Sequence, residues 1–453
     1  MLTARRLALA GVRVTLIEAS ERLGGQVFTI DLDGQSVDVG AEAIYLGAPA
    51  SLALVEELGL VEDVVGPRAG TSWLWTAGGL RPLPAGVGPA GPTRLRPILT
   101  SRVMSVRGLC RAGMEPLAAL LTPPLRTAED ISVGQFVSGR FGPEVTERFL
   151  DPLLGALHAG DVNELSLRAC APGLVAAATR RRSIVLRRRR AATSVGDAPP
   201  LFASWPQGLR RLTGRLLDGL DVAVRSGRRV VQLDRLDDEY QLTLDTGERL
   251  AAESVVLAVP AGAAADLLRT HLPKVATGLG DAERASVATV VVRFDRRAVA
   301  RLHALTGNGM LIPSSAGTLL KALTNLSRKW EHLDDGRSTL LRLSAGRAGS
   351  PRLGELSDDA LVTQLLADVH RLTAVTAHPD VVHVHRWAEG LPQLQVGHRS
   401  QMASIREDLS RSLPGVVLAG ASYDGLGLSS CIPSADAAAA TVLARRQPAE
   451  SLR

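Results

Sequence analysis

The sequence predicts an α/β protein that opens inside a Rossmann-type nucleotide-binding unit whose first strand is missing. Three observations predict it. A short apolar strand near the start ends in an acidic residue, a paired-glycine turn follows it, and a second strand–loop–helix unit lies near the end. The 453 residues suggest about two to four domains. With 45% hydrophobic and 22% charged residues, wholesale disorder is excluded. The net charge is +6, yet only Lys274, Lys321 and Lys329 among the 52 basic residues are lysines. The remaining 49 arginines match GC-rich coding as well as they match selection, so the charge alone identifies no partner. Cys110, Cys170 and Cys431 form no CxxC, zinc spacing or disulfide framework. Residues 1–11 lack the features of a signal peptide, and no uncharged apolar run reaches about 18 residues. The expectation is a soluble, multi-domain protein of a reducing compartment, without metal.

Residues 2–10 have helical composition, with Leu2, Leu7 and Leu9 as the apolar side and Gly11 as the stop. Residues 12–17 (VRVTLI) read as a short buried strand. Glu18 follows at its carboxyl end, where an acidic residue binds a ribose diol. Such a residue stands about 20 positions beyond a GxGxxG fingerprint, which places that fingerprint before Met1. The helix and second strand are present; the first strand and phosphate loop are expected to be absent. Gly24 and Gly25 then let backbone amides approach a pyrophosphate, although a plain turn is the favoured reading of the pair when it is taken alone.

Residues 17–25 (IEASERLGG) resemble the segment after the second strand in FAD-dependent amine oxidases and porphyrinogen oxidases. Residues 38–42 (DVGAE) resemble their approach to the flavin ring. Near the end, residues 417–428 (VLAGASYDGLGL) run a strand into an Asp-Gly-x-Gly turn before an Ala-rich helix over 435–446. They resemble the closing motif of protoporphyrinogen and coproporphyrinogen oxidases, with Ala435 where the family commonly has glycine. The most discriminating stretch is 387–398 (WAEGLPQLQVGH), which resembles the porphyrinogen oxidase signature with Leu394 in an aromatic place. Residues 321–346 resemble the hairpin of the substrate domain, and residues 204–212 the family's helix start with Gln207 for its first glycine. The resemblance covers nearly the whole chain. It implies FAD as cofactor, contacted by Glu18, Ala19, Arg22, Gly24, Gly25, Gln26, Gly40, Ala41, Glu42, Ala43, Val230, Trp387, Gly420, Asp424, Gly425, Leu426, Gly427 and Leu428. Val230 as a buried core valine, and Trp387 as core filler, are compatible alternatives.

The same resemblance implies a discontinuous FAD domain assembled from residues 1–65, 200–268 and 402–453. A helical lobe occupies 82–199 and a mixed-sheet substrate domain 66–81 and 269–401. Within the FAD domain, residues 221–225 and 229–233 alternate as strands, and 240–244 and 254–259 continue a small meander. Residues 98–178 read as helical; 288–294 and 340–344 read as strands and 358–372 as a helix. The basic run 180–190 reads as a solvated loop, an anionic-lipid or carboxylate attractor, or a nucleic-acid contact. The absence of interleaved aromatics weakens the last, and no nucleic-acid partner is expected.

No triad, metal cluster or paired carboxylate stands in motif context, so no residue is assigned a catalytic role. Flavin hydride chemistry needs mainly placement and electrostatics. The resemblance implies oxidation of a porphyrinogen by hydride transfer to FAD, with dioxygen as acceptor and hydrogen peroxide as by-product. Coproporphyrinogen III, with four carboxylates, is preferred over protoporphyrinogen IX, with two. Arg68, Arg81 and Arg342 are candidate carboxylate clamps. The implied setting is the cytoplasm or the inner face of the membrane, with product handed to the next haem-pathway enzyme. Two alternatives stand beside this reading. A monoamine or polyamine oxidase is disfavoured by a chain with three tyrosines, too few for an aromatic cage. An inactive truncated relative is motivated by the missing phosphate loop. A start placed too late, with about 15–20 residues upstream, is the preferred account of that loop. The chain from Met1 is accordingly expected to purify colourless or unstable.

Overall fold

The computed structural model describes residues 1–76, 78–88, 91–92, 96–186, 199–299, 305–350 and 352–446. The chain divides into two compact units. Met1–Gly66, Pro199–Ala282 and Arg399–Arg453 form the first; Pro67–Ala198 and Glu283–His398 form the second.

In the first unit, helix Leu2–Leu9 leads to strand Val14–Ile17, which pairs in parallel with Val222–Arg225. Strand Val255–Leu257 pairs in parallel with Val416–Leu418. Both of these read Val-Val-Leu, apolar without alternation, as befits strands covered on both faces. The meander is narrower than the sequence suggests: it consists of Val230–Leu236, Glu239–Leu244 and Arg249–Ala252. Residues 222–225 and 255–257 belong instead to the parallel pairs. Alternation separates the two kinds of strand, since Tyr240, Leu242 and Leu244 point inward between exposed or half-buried neighbours. Helix Leu428–Arg446 begins seven residues before the expected 435, despite Pro433. It lies against Leu2–Leu9, where Thr3 Oγ1 donates to Ala435 O at 3.3 Å and Arg6 pairs with Asp436 at 2.7 Å. Helix Pro273–Gly280 also belongs to this unit, not to the mixed-sheet domain expected for 269–401. Val275, Ala276 and Leu279 bury with Leu268, Met402 and Ile405, which fixes its membership.

The second unit carries a seven-stranded sheet. Its order is Val381–Pro392, Arg284–Asp295, Ser338–Ala345, Leu320–Asn325, Gly309–Leu311, Ser72–Thr76 and Gly79–Pro82. Only Gly309–Leu311 and Ser72–Thr76 pair in parallel. One face presents Val290, Val292, Phe294, Leu341, Leu343 and Leu323 to helix Asp358–Thr373, whose Leu361, Leu365 and Val369 close the core. Ser357 caps that helix by accepting from the Ala360 amide at 3.3 Å. The helical stretch supplies Val133–Phe141, a π-helix over Thr146–Gly155, and shorter helices. Its core of Phe136, Phe141, Phe149 and Leu150 continues onto Leu74 and Leu311 of the sheet. This shared core joins residues 82–186 to the sheet in one unit, where the sequence suggests separate domains. Arg180, Arg181 and Arg182 are exposed, while residues 187–190 of the basic run lie outside the described residues. No helix among the described residues is long and apolar enough to cross a membrane.

One ion pair is buried in the helical core. Glu115 and Arg140 are 0% and 2% exposed in their side chains and stand 3.6 Å apart. Glu115 also accepts from the Ile184 amide at 3.1 Å and from the Ser183 hydroxyl, and Arg140 donates to Ala177 O at 2.9 Å. Burial pushes the Arg140 guanidinium below its ordinary pKa, and Glu115 opposes that shift. Removing one partner leaves the other charge buried alone. Glu115→Ala is expected to lower unfolding stability by about 3–5 kcal/mol in urea titration. An unchanged midpoint would contradict this role.

Candidate functional site

In the first unit, the Glu18 amide donates to Arg225 O at 2.9 Å and extends the parallel pairing by one step. Its carboxylate turns back, with Oε1 accepting from the Ser20 amide at 2.8 Å and lying 2.9 Å from Ser20 Oγ. Ala19, between them, is exposed. Arg22 then wraps the paired glycines. It donates to Gly25 O at 2.7 Å and to Val27 O at 3.4 Å, and its guanidinium sits 3.9 Å over the Phe28 ring. Gly24 and Gly25 have φ of +106° and +55°. A Cβ on Gly24 would come 3.1 Å from Val27 O, whereas one on Gly25 would meet nothing within 4 Å. The first glycine is required by the turn; the second leaves bare backbone facing open space.

The Ala41 amide donates to Gln26 O at 2.9 Å and the Gly40 amide to Phe28 O at 3.4 Å. Residues 40–43, Gly40, Ala41, Glu42 and Ala43, therefore start alongside Gln26. Asp38, just before them, is a cap. It is 7% exposed, and both its oxygens lie 3.1 Å from the Leu209 amide. Thr29 Oγ1 donates to it as well, at 2.5 Å.

The tail residues form a second loop. Gly420, Gly425 and Gly427 have φ of +113°, +130° and +88°, and Leu426 and Leu428 bracket the last turn before helix Leu428–Arg446. Asp424 holds the loop. Arg406 Nη2 lies 2.7 and 2.8 Å from its two oxygens, and Ser434 Oγ donates to it at 2.5 Å. The same Ser434 Oγ accepts from the Gly420 amide at 2.8 Å. Asp424 is thus committed to Arg406 and Ser434, while a Cβ on Gly420 would again meet nothing within 4 Å. Ala41 and Leu428 pack against one core with Val27, Ile432 and Ala435, which brings the two glycine loops to the same region of the unit. Val230 faces a different core, with Leu233, Tyr240 and Leu418, but its strand follows Arg228, whose amide donates to Glu18 O at 3.0 Å. A carboxylate at a strand end and two bare glycine loops fit the diol and pyrophosphate of a dinucleotide.

Trp387, Arg68, Arg81 and Arg342 belong to the second unit. Alternation puts Arg342 and Ser344 on the face opposite the Leu341–Leu343 core, and register places Val291 beside both Arg342 and His383. Thr289 stands opposite His385 and Val287 opposite Trp387. The His385 and Trp387 rings meet edge to face at 4.2 Å. This face therefore combines an aromatic row with a guanidinium. Arg68 is spoken for: it pairs with Asp334 at 2.9 Å and Glu331 at 3.5 Å, which argues against its expected role as a clamp. Arg81 stands opposite Leu74 near the sheet edge. Sequence reasoning passed over Lys321, which is 5% exposed. The available signal was its rarity, as one of three lysines.

Arg406→Ala is expected to loosen the Gly420–Asp424 segment without unfolding the unit. Amide hydrogen exchange over residues 420–427 should accelerate by about tenfold, the loss of about 1.4 kcal/mol of local protection. Unchanged exchange there would remove Arg406 from this role.

A model of the family "Flavin containing amine oxidoreductase" matches residues 1–443. The coproporphyrinogen III oxidase of Bacillus subtilis (strain 168) is 31% identical over 443 residues, covering 95% of this chain and 92% of that protein. That of Mycobacterium tuberculosis (strain ATCC 25618 / H37Rv) is 33% identical over 439 residues, covering 95% and 91%. The crystal structure of a candidate protoporphyrinogen oxidase from Exiguobacterium sp. 255-15 superposes with a TM-score of 0.84 at 29% identity, covering 98% of this chain and 96% of that one. From the glycine loops to the tail motif, the chain belongs to the flavin containing amine oxidoreductase family.

Proposed function

We propose that this chain oxidises a porphyrinogen to the porphyrin with FAD, and that coproporphyrinogen III is preferred over protoporphyrinogen IX. The observation that carries the reading is the sheet face of the second unit, where Trp387 and His385 lie one strand from Val287 and Thr289 and two from Arg342. A flat tetrapyrrole asks for aromatic contact across its rings and for cations at its carboxylates. The likeness to coproporphyrinogen III oxidases along nearly the whole chain supports the same choice.

In this reading the first unit holds FAD and the second takes the substrate. Glu18 binds the ribose diol; Gly24, Gly25 and Gln26 offer amides to the pyrophosphate while Arg22 keeps their turn in shape. Residues 40–43 and Gly420, Gly425, Leu426, Gly427 and Leu428 border the flavin ring, Asp424 fixes their loop, and Val230 meets the adenine. Trp387 belongs to the substrate face of the second unit. Bound FAD supplies the hydride acceptor, and dioxygen is the terminal acceptor. Arg81 and Arg342 bind carboxylates and so orient the ring. An amine oxidase is the weaker reading because all three tyrosines are otherwise engaged. Tyr423 OH donates to Val259 O at 2.7 Å, Tyr240 OH accepts from the Gly415 amide at 3.0 Å, and Tyr45 meets Phe202 at 5.1 Å between centroids.

Purified protein with flavin absorbance should consume oxygen with coproporphyrinogen III at least about tenfold faster, as kcat/KM, than with protoporphyrinogen IX. Turnover of protoporphyrinogen alone would overturn the preference, and oxidation of amines but neither porphyrinogen would overturn the function.

A peripheral membrane contact is part of the proposal. Val106, Met114, Leu117, Leu120 and Leu121 are exposed along consecutive helices of the second unit, and Arg102 and Arg107 are exposed beside them. Exposed apolar side chains with exposed arginines in the same stretch of chain suit an anionic lipid surface. The chain should co-sediment with phosphatidylglycerol vesicles and not with phosphatidylcholine vesicles, and Leu120→Asp with Leu121→Asp should lower the bound fraction about tenfold. Equal binding to both lipids would contradict this contact.

A further inference from the structure

Two consecutive helices of the second unit bury their small residues and expose their large apolar ones. In Val106–Gly113 and Glu115–Leu121 the buried positions are Gly108, Ala112, Glu115 and Ala119, with Glu115 paired to Arg140. The exposed positions include Val106, Cys110, Met114, Leu117, Leu120 and Leu121. Both sets recur at steps of three and four residues, so each runs as a stripe along the helical surface. Met114 joins the two helices: its amide donates to Arg111 O at 3.2 Å, and its carbonyl accepts from the Ala118 amide at 2.9 Å. It therefore stands midway along the exposed stripe, between Cys110 and Leu117.

Sulfur is shielded elsewhere in the chain. Of the five methionines, Met114 is 52% exposed, Met104, Met310 and Met402 are buried, and Met1 is half-buried. Of the three cysteines, Cys110 is exposed, whereas Cys170 and Cys431 are half-buried. Burial, then Asp130, pushes the Cys170 thiol up to about 12, and burial, then Asp424, pushes Cys431 up to about 11. Both stay protonated and unreactive at neutral pH. A small oxidant thus meets the sulfurs of the apolar stripe first. The proposed reaction supplies such an oxidant, since dioxygen that takes up two electrons and two protons becomes hydrogen peroxide.

We propose that Met114 is a modification site, at which hydrogen peroxide converts the thioether to the sulfoxide and thereby weakens the hold of the chain on a lipid surface. The sulfur gives an electron pair to one peroxide oxygen and the O–O bond breaks. The other oxygen leaves as hydroxide, which takes the proton of the transferred oxygen to become water. Sulfur is oxidised, the peroxide is reduced, and the new S–O group is polar where the thioether was apolar. Such a group loses its water at a cost when it enters an apolar layer, so the stripe is interrupted at its centre. This inference rests on the peripheral membrane contact proposed above and adds the reagent that would release it.

The test uses the full flavin-loaded chain, treated with hydrogen peroxide, then with dithiothreitol, and mixed with phosphatidylglycerol vesicles. Dithiothreitol returns a sulfenic acid or disulfide at Cys110 to the thiol and leaves a sulfoxide in place. Peptide mapping should find Met114 oxidised about tenfold faster than Met104, Met310 or Met402. The vesicle-bound fraction of the treated chain should fall about tenfold, and methionine sulfoxide reductases A and B together should restore it. Met114→Leu keeps an apolar side chain of similar size, and peroxide should leave its bound fraction unchanged. Met114→Gln should bind weakly with no peroxide added. If the untreated chain binds no vesicles, the membrane contact falls and this inference with it. If it binds, the contact stands, and three results each overturn the role of Met114. These are oxidation of Met114 no faster than of the buried methionines, an unchanged bound fraction once Met114 is oxidised, and release of Met114→Leu to the same extent as the parent. Should either variant fail to fold, reversal by the reductases on the unaltered chain decides.

Discussion

A strand that buries one face against a helix must turn every second residue the other way, and the second unit is organised by that constraint. Val290, Val292, Leu341 and Leu343 are committed to the core under helix Asp358–Thr373. Their partners in alternation, Thr289, Arg342 and Ser344, together with His383, His385 and Trp387 on the edge strand, have no freedom to join them. A slip of one residue in Ser338–Ala345 would drive Arg342 into the aliphatic core, at a cost far above that of a lost surface contact. The register of the candidate substrate face is therefore enforced from behind. The core residues need no chemistry of their own to position those that have it.

The glycine loops of the first unit meet the opposite requirement. Bare backbone that can approach an anion is also backbone with the most conformational freedom to lose. Order has to come from side chains placed outside the loop. Arg22 does this for Gly24 and Gly25 by bonding the carbonyls at 25 and 27, and Asp424 does it for the tail loop through Arg406 and Ser434. Asp38 plays the same part for Leu209. Carboxylates that sit in motif positions are, in these two cases, structural members of the loop and not groups held out to a ligand.

This division explains what could be read from the sequence. Strand Val14–Ile17, Glu18, the paired glycines and the Asp-Gly-x-Gly turn are local patterns, visible within a dozen residues. The strands read at 288–294 and 340–344, which fall within Arg284–Asp295 and Ser338–Ala345, are visible for the same reason. Which strands pair is a long-range matter. Nothing near Val255 says that its partner is Val416, and only burial against Met402 and Ile405 places Pro273–Gly280 in the first unit. Among 49 arginines, local sequence could not separate Arg68, paired with Asp334, from Arg342 on the strand face turned away from helix Asp358–Thr373, because the distinction lies in residues distant along the chain.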